Sequence, residues 1–132
     1  MEQLSPGQRP RILVTGPTGY VGGRLLRALA DQGHDLRAVA RRPEGVPAAR
    51  GLDVDVVGGD LLEPSSLAAV VEGVHTAYYL VHSMGSGADY SRLDRQAAQN
   101  FRTAAERAGV RRIVYLGGLG ESHSELSSHL RS

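Results

Sequence analysis

Three glycines, Gly16, Gly19 and Gly22, follow directly on an apolar run in the segment ILVTGPTGYVG at residues 12–22. The first can take a tight turn leaving a strand. The second lets the backbone approach a ligand with no Cβ in the way, and the third lets a following helix lie close on a sheet. The free N–H groups and positive dipole end of that helix then face an anion. The chemistry this suits is the binding of a dinucleotide pyrophosphate. In a chain with 17 glycines the same triplet also reads as a plain structural turn. The strand before it and the amphipathic helix after it favour the ligand reading.

Those residues need elements to hold them, and the pattern supplies strand and helix in alternation. Strands are predicted over residues 11–15, 35–40, 54–57, 77–81 and 112–116. A helix over 20–32 places Val21, Leu25, Leu26 and Leu29 on one face at helical spacing, and Gly33 ends it. Residues 41–52 read as a loop. A second helix starts at Pro64 with Leu67, Val70 and Val71 as its apolar face and ends at Gly73. A third covers about residues 91–108, with Leu93, Ala97, Phe101 and Ala105 inward and Gly109 at its end. Such alternation implies an α/β fold, a doubly wound parallel sheet of Rossmann type. The expected strand order is 3-2-1-4-5, with the ligand crevice at the carboxyl ends of the strands.

Composition narrows the classes. A chain of 132 residues reads as one domain. We expect a disordered lead-in at 1–10, a nucleotide-binding domain at 11–120 and the start of a truncated helical segment at 121–132. A net charge of +1 argues against nucleic acid or an anionic membrane as the main partner. No apolar run approaches a membrane span, and MEQLSPGQRP lacks the apolar core of a signal peptide. Cysteine is absent, which fits a cytoplasmic protein and excludes thiolate chemistry. His123 and His129 have no further ligand cluster, so no metal site is expected. All 15 basic residues are arginine, which excludes any mechanism that needs a lysine amine.

The sequence resembles the short-chain dehydrogenase/reductase superfamily in its extended and atypical branches, most of all the NmrA-like and epimerase/dehydratase-like NAD(P)-binding proteins. The resemblance rests on TGPTGYVG (15–22), GGDLLEPSSL (58–67), AYYLVHS (77–83) and NFRTAAERAGVRRIVYLGGLG (100–120). It implies that Gly16, Thr18, Gly19, Tyr20, Val21 and Gly22 hold the pyrophosphate. Asp60 and Leu61 would border the adenine, with the Asp60 carboxylate accepting from its amino group. Val81 and His82 would border the nicotinamide ribose. Asp60 also reads as a turn or capping residue. His82 has the residue type of a general base, and a lone loop histidine is as readily a solvated one.

An NAD-preferring site places an acid at the end of the second strand. Here that end reads AVARRP, with Arg41 and Arg42 in its place. Guanidinium forks suit a 2′-phosphate, so NADP(H) is expected over NAD(H), which stays possible. Asp35 is the nearest acid, but it begins the strand.

Catalytic members of that superfamily use a serine after the fifth strand and a Tyr-x-x-x-Lys pair. Gly117, Gly118, Leu119 and Gly120 stand where the serine is expected, and no tyrosine follows Tyr115. No residue of this chain is therefore assigned a catalytic role. The chain reads as the N-terminal part of an oxidoreductase or epimerase-like protein acting on an unidentified small molecule. The alternative is a non-catalytic NADP(H)-sensing or scaffold protein of the NmrA-like type. An exposed edge on the last strand would invite a homodimer.

Overall fold

The computed structural model describes residues 10–16, 20–46, 51–80 and 88–115. Five parallel strands form one sheet in the order β3-β2-β1-β4-β5, as the alternation predicts. They are β1 (Arg11–Thr15), β2 (Asp35–Ala40), β3 (Val54–Gly58), β4 (Val74–Tyr79) and β5 (Arg112–Tyr115). The helices are α1 (Tyr20–Asp31), α2 (Leu67–Val71) and α3 (Ala88–Ala108). Short 3-10 turns at Pro43–Gly45 and Pro64–Ser66 follow β2 and precede α2.

Alternate side chains of β1 feed two cores. Ile12 and Val14 join Leu26 and Leu29 of α1 with Leu36 and Ala38 of β2. Leu13 joins Val39, the α2 residues Leu67, Val70 and Val71, and Phe101 and Ala105 of α3. The sheet is thus buried on both faces, which explains its near-continuous apolar strands. Gly33 and Gly109 end α1 and α3 at positive φ, as the sequence implies.

Several expectations need correction. Val21 is 53% exposed and Leu93 is 40% exposed, so neither belongs to the apolar face assigned to it. Both lie in the N-terminal part of their helices and face outward, and among the residues whose burial is described the buried positions begin at Gly22 in α1 and Ala97 in α3. The fourth strand starts at Val74 rather than Ala77 and ends at Tyr79. Its pairing with β1 runs Arg11 to Val74 and then Ile12 to Thr76, so His75 is an extra residue. That bulge breaks the two-residue alternation and hides the start of the strand from a periodicity reading. Pro64 opens a 3-10 turn, and the α-helix proper begins at Leu67. α3 begins at Ala88, a turn earlier than expected. α1 ends at Asp31, one residue early, and β3 runs on through Gly58, which pairs with Ala40.

Two arginines organise the amino ends of the strands. Arg11 Nε lies 3.2 Å from the Asp35 carboxylate, its register partner. Arg37 is buried within β2, with Nε 3.1 Å from Asp55, also its register partner. Its Nη1 donates to the carbonyls of Ala69 at 3.1 Å and of Val70 and Glu72 at 2.9 Å. The last carbonyls of a helix lack intrahelical partners. Arg37 satisfies those of α2 and locks the helix to β2.

Candidate dinucleotide site

The carboxyl ends of β1, β2, β3 and β4 lie along one edge of the sheet, because the strands are parallel. At β1 the chain leaves the sheet through Gly16, at φ +71°, a conformation side chains other than glycine rarely adopt. A Cβ there would sit 3.5 Å from the Leu80 backbone, so the turn runs close beside the end of β4. Thr15, fully buried, ties the two strand ends together. Its hydroxyl donates to Tyr78 O at 3.2 Å and accepts from Leu80 N–H at 3.1 Å. This is the topological switch point of the sheet, where ligands of open α/β folds bind. α1 starts at Tyr20, and Gly22 is buried in its first turn. Val21 is exposed at the same helix end.

At the next strands, Ala40 pairs with Gly58, and Gly59 N–H donates to Ala40 O at 3.1 Å. Arg41 and Arg42 therefore follow β2 beside the turn that carries Asp60 and Leu61. Both arginines are exposed. The acid of β2, Asp35, is at the opposite end of the strand, paired with Arg11. A Cβ on Gly59 would lie 2.8 Å from Val70 Cγ2 and 3.0 Å from Val39 Cγ2, so only glycine fits between the sheet and α2.

Asp60 shapes its own turn, in keeping with the turn reading of this residue. One carboxylate oxygen accepts from Leu62 N–H at 2.9 Å, and Asp60 N–H donates to Ser66 Oγ at 3.0 Å. Ser66 Oγ donates in turn toward Asp60 O and Glu63 O at 3.0 and 2.8 Å. Sequence reasoning missed Asn100. Its amide nitrogen donates to Leu61 O at 2.8 Å from α3. Thr18, Gly19, Val81, His82, Leu116 and the segment 117–132 lie outside the described residues.

Behind this edge, Tyr79 stacks obliquely on Phe101 at 5.3 Å and on Tyr115 at 5.6 Å. Burial pushes the Tyr79 hydroxyl well above the usual tyrosine range, and the Asp94 carboxylate and Tyr115 add to it. Burial also raises Tyr115, with Arg102 opposing and Glu106 adding. Both tyrosines are thus neutral packing groups at ordinary pH.

Residues 16–131 match the NAD(P)H-binding family. The chain belongs to that family. Relatives and structural neighbours of this NAD(P)H-binding chain are of the short-chain dehydrogenase/reductase type. It is 37% identical over 112 residues to sterol demethylase protein B of Methylococcus capsulatus, covering 82% of this chain and 34% of that protein. A short-chain dehydrogenase/reductase superfamily protein of Agrobacterium tumefaciens with bound NAD has a TM-score of 0.65 at 29% identity, over 80% of this chain and 31% of that one. Triphenylmethane reductase of Citrobacter sp., complexed with NADP(H), has a TM-score of 0.70 at 30% identity, over 92% and 42%. The chain spans about a third of the length of the curated relatives it matches. No described helix is long and apolar enough to cross a membrane.

Proposed function

We propose that this NAD(P)H-binding chain takes NADP(H) in preference to NAD(H), as the cofactor unit of a short-chain dehydrogenase/reductase oxidoreductase. One observation carries the preference. The carboxyl end of β2 presents Arg41 and Arg42, both exposed, while the strand's acid is engaged by Arg11 at the far end. A carboxylate at that end would bond both ribose hydroxyls and repel a 2′-phosphate, whereas guanidinium groups attract it.

The remaining contacts are those that the family resemblance implies, assigned here to the carboxyl edge of the sheet. The pyrophosphate is assigned to Gly16, Thr18, Gly19, Tyr20, Val21 and Gly22. The adenine lies against Asp60 and Leu61, with the second Asp60 carboxylate oxygen accepting from its amino group. The nicotinamide ribose is bordered by Val81 and His82. The fit is supported by the left-handed Gly16 turn beside Leu80 and by the closed Asp60–Ser66 turn beside β2. When bound, the nicotinamide supplies or accepts a hydride, and the chain binds and orients it.

The test is a double variant, Arg41→Ala with Arg42→Ala. Losing hydrogen bonds from charged donors raises the Kd for NADPH by about tenfold or more, with exposure lowering the effect. The Kd for NADH stays within about twofold, since NADH lacks the 2′-phosphate those donors serve. Equal losses for the two cofactors would overturn the assignment.

A further inference from the structure

Asn100 sits in the interior of α3, where asparagine is a poor helix former because its amide competes for backbone groups. It is half-buried, and both ends of its amide are used. Leu61 O can only accept, so the Asn100 nitrogen must face it, at 2.8 Å. The Asn100 oxygen then accepts from Gln96 Nε2, one helical turn earlier, also at 2.8 Å. The relay Gln96 to Asn100 to Leu61 O has one direction only.

Among the described residues, the other polar contacts of the Asp60 turn are internal to it or go to β2. Asp60, Leu62, Glu63 and Ser66 bond one another, and Gly59 bonds Ala40. Among the described residues, Asn100 makes the side-chain hydrogen bond that fixes this closed turn to α3, across 39 positions of sequence. Leu61 also packs against the cluster that contains Phe101 and Ala105 of α3, and the hydrogen bond sets where its carbonyl lies within that contact.

We propose that Asn100 is a positioning residue for the adenine end of the cofactor: by holding Leu61 O, it sets where Asp60 and Leu61 meet the base. This rests on the cofactor reading above. Asn100 itself touches no cofactor atom in this account. Gln96 orients its amide from the surface.

The test separates the two halves of the cofactor. The chain and its Asn100→Ala, Asn100→Asp and Gln96→Ala variants are titrated by calorimetry with 2′,5′-ADP, with reduced nicotinamide mononucleotide and with NADPH. Asn100→Ala removes a neutral hydrogen bond, so the Kd for 2′,5′-ADP rises about three- to tenfold, NADPH follows by the same factor, and the mononucleotide is unmoved. Asn100→Asp keeps the shape but sets a carboxylate against a carbonyl, and matches or exceeds that loss. Gln96→Ala gives a smaller loss in the same half. Unchanged 2′,5′-ADP binding in both Asn100 variants would overturn the proposal. So would an equal loss for the mononucleotide, which marks general loosening of the fold. A wild-type chain that binds no 2′,5′-ADP would instead overturn the cofactor reading, and this inference with it.

Discussion

Replacing Arg37 with methionine keeps a long side chain in β2 and removes its charge and donors. Four contacts go at once: the Asp55 carboxylate at 3.1 Å and the carbonyls of Ala69, Val70 and Glu72 at 3.1, 2.9 and 2.9 Å. Asp55 is 51% exposed and keeps Arg11 Nη1 at 3.9 Å, so water recovers much of its loss. The carbonyls weigh more. α2 has five residues, and Arg37 supplies the donor to its last turn from a side chain only 10% exposed. Hydrogen bonds from charged donors contribute about 1.5–3 kcal/mol each and are not additive, so about 3 kcal/mol is expected in total. An unfolding entropy of about 2.1 cal/mol/K per residue over 132 residues gives about 0.28 kcal/mol/K. The melting temperature should then fall by about 10 °C. Circular dichroism melts and urea titration of the two proteins measure it. A drop under about 3 °C, below one such hydrogen bond, would refute the assignment of Arg37 as the link between α2 and the sheet.

Thr15→Val keeps volume and removes the hydroxyl shared by Tyr78 O and Leu80 N–H. Leaving a buried donor unmade costs about 1–3 kcal/mol, read by urea titration, and the displaced Leu80 end should also weaken NADPH binding; a cost under about 0.5 kcal/mol would show that the hydroxyl is not the tie. Tyr79 is raised by folding and ionises freely only when unfolded, so its contribution is complete below the unfolded pKa near 10 and is lost as pH rises toward the folded value. Stability should therefore fall above about pH 10 by up to about 1.4 kcal/mol per pH unit from this group, and Tyr79→Phe should flatten that slope. An unchanged slope in the variant would assign the alkaline loss elsewhere.

Local patterns made most of the fold legible. β1 and β2 have the limits that their apolar runs and flanking glycines imply, and the glycine ends of α1 and α3 have positive φ. The strand order follows from alternation and the handedness of parallel crossovers. What stayed hidden depends on partners distant in sequence. The His75 bulge is visible only against β1. Arg37 looks like a surface residue of a strand until α2, more than 30 residues on, offers its carbonyls. Asn100 has no motif, because its partner is the backbone of Leu61. Val21 and Leu93 carry the right periodicity but are exposed near the N-terminal ends of their helices. Of the candidate site, the left-handed Gly16 turn and the exposure of Arg41 and Arg42 after β2 were readable because each depends on its own position in one strand–turn unit.

The most direct measurement of the central claim is calorimetric titration of the chain with NADPH and, separately, with NADH. Both should bind saturably, with NADPH tighter by about tenfold or more from the charged donors at the β2 end. Equal affinities, or tighter NADH, would contradict the assignment of Arg41 and Arg42 to a 2′-phosphate.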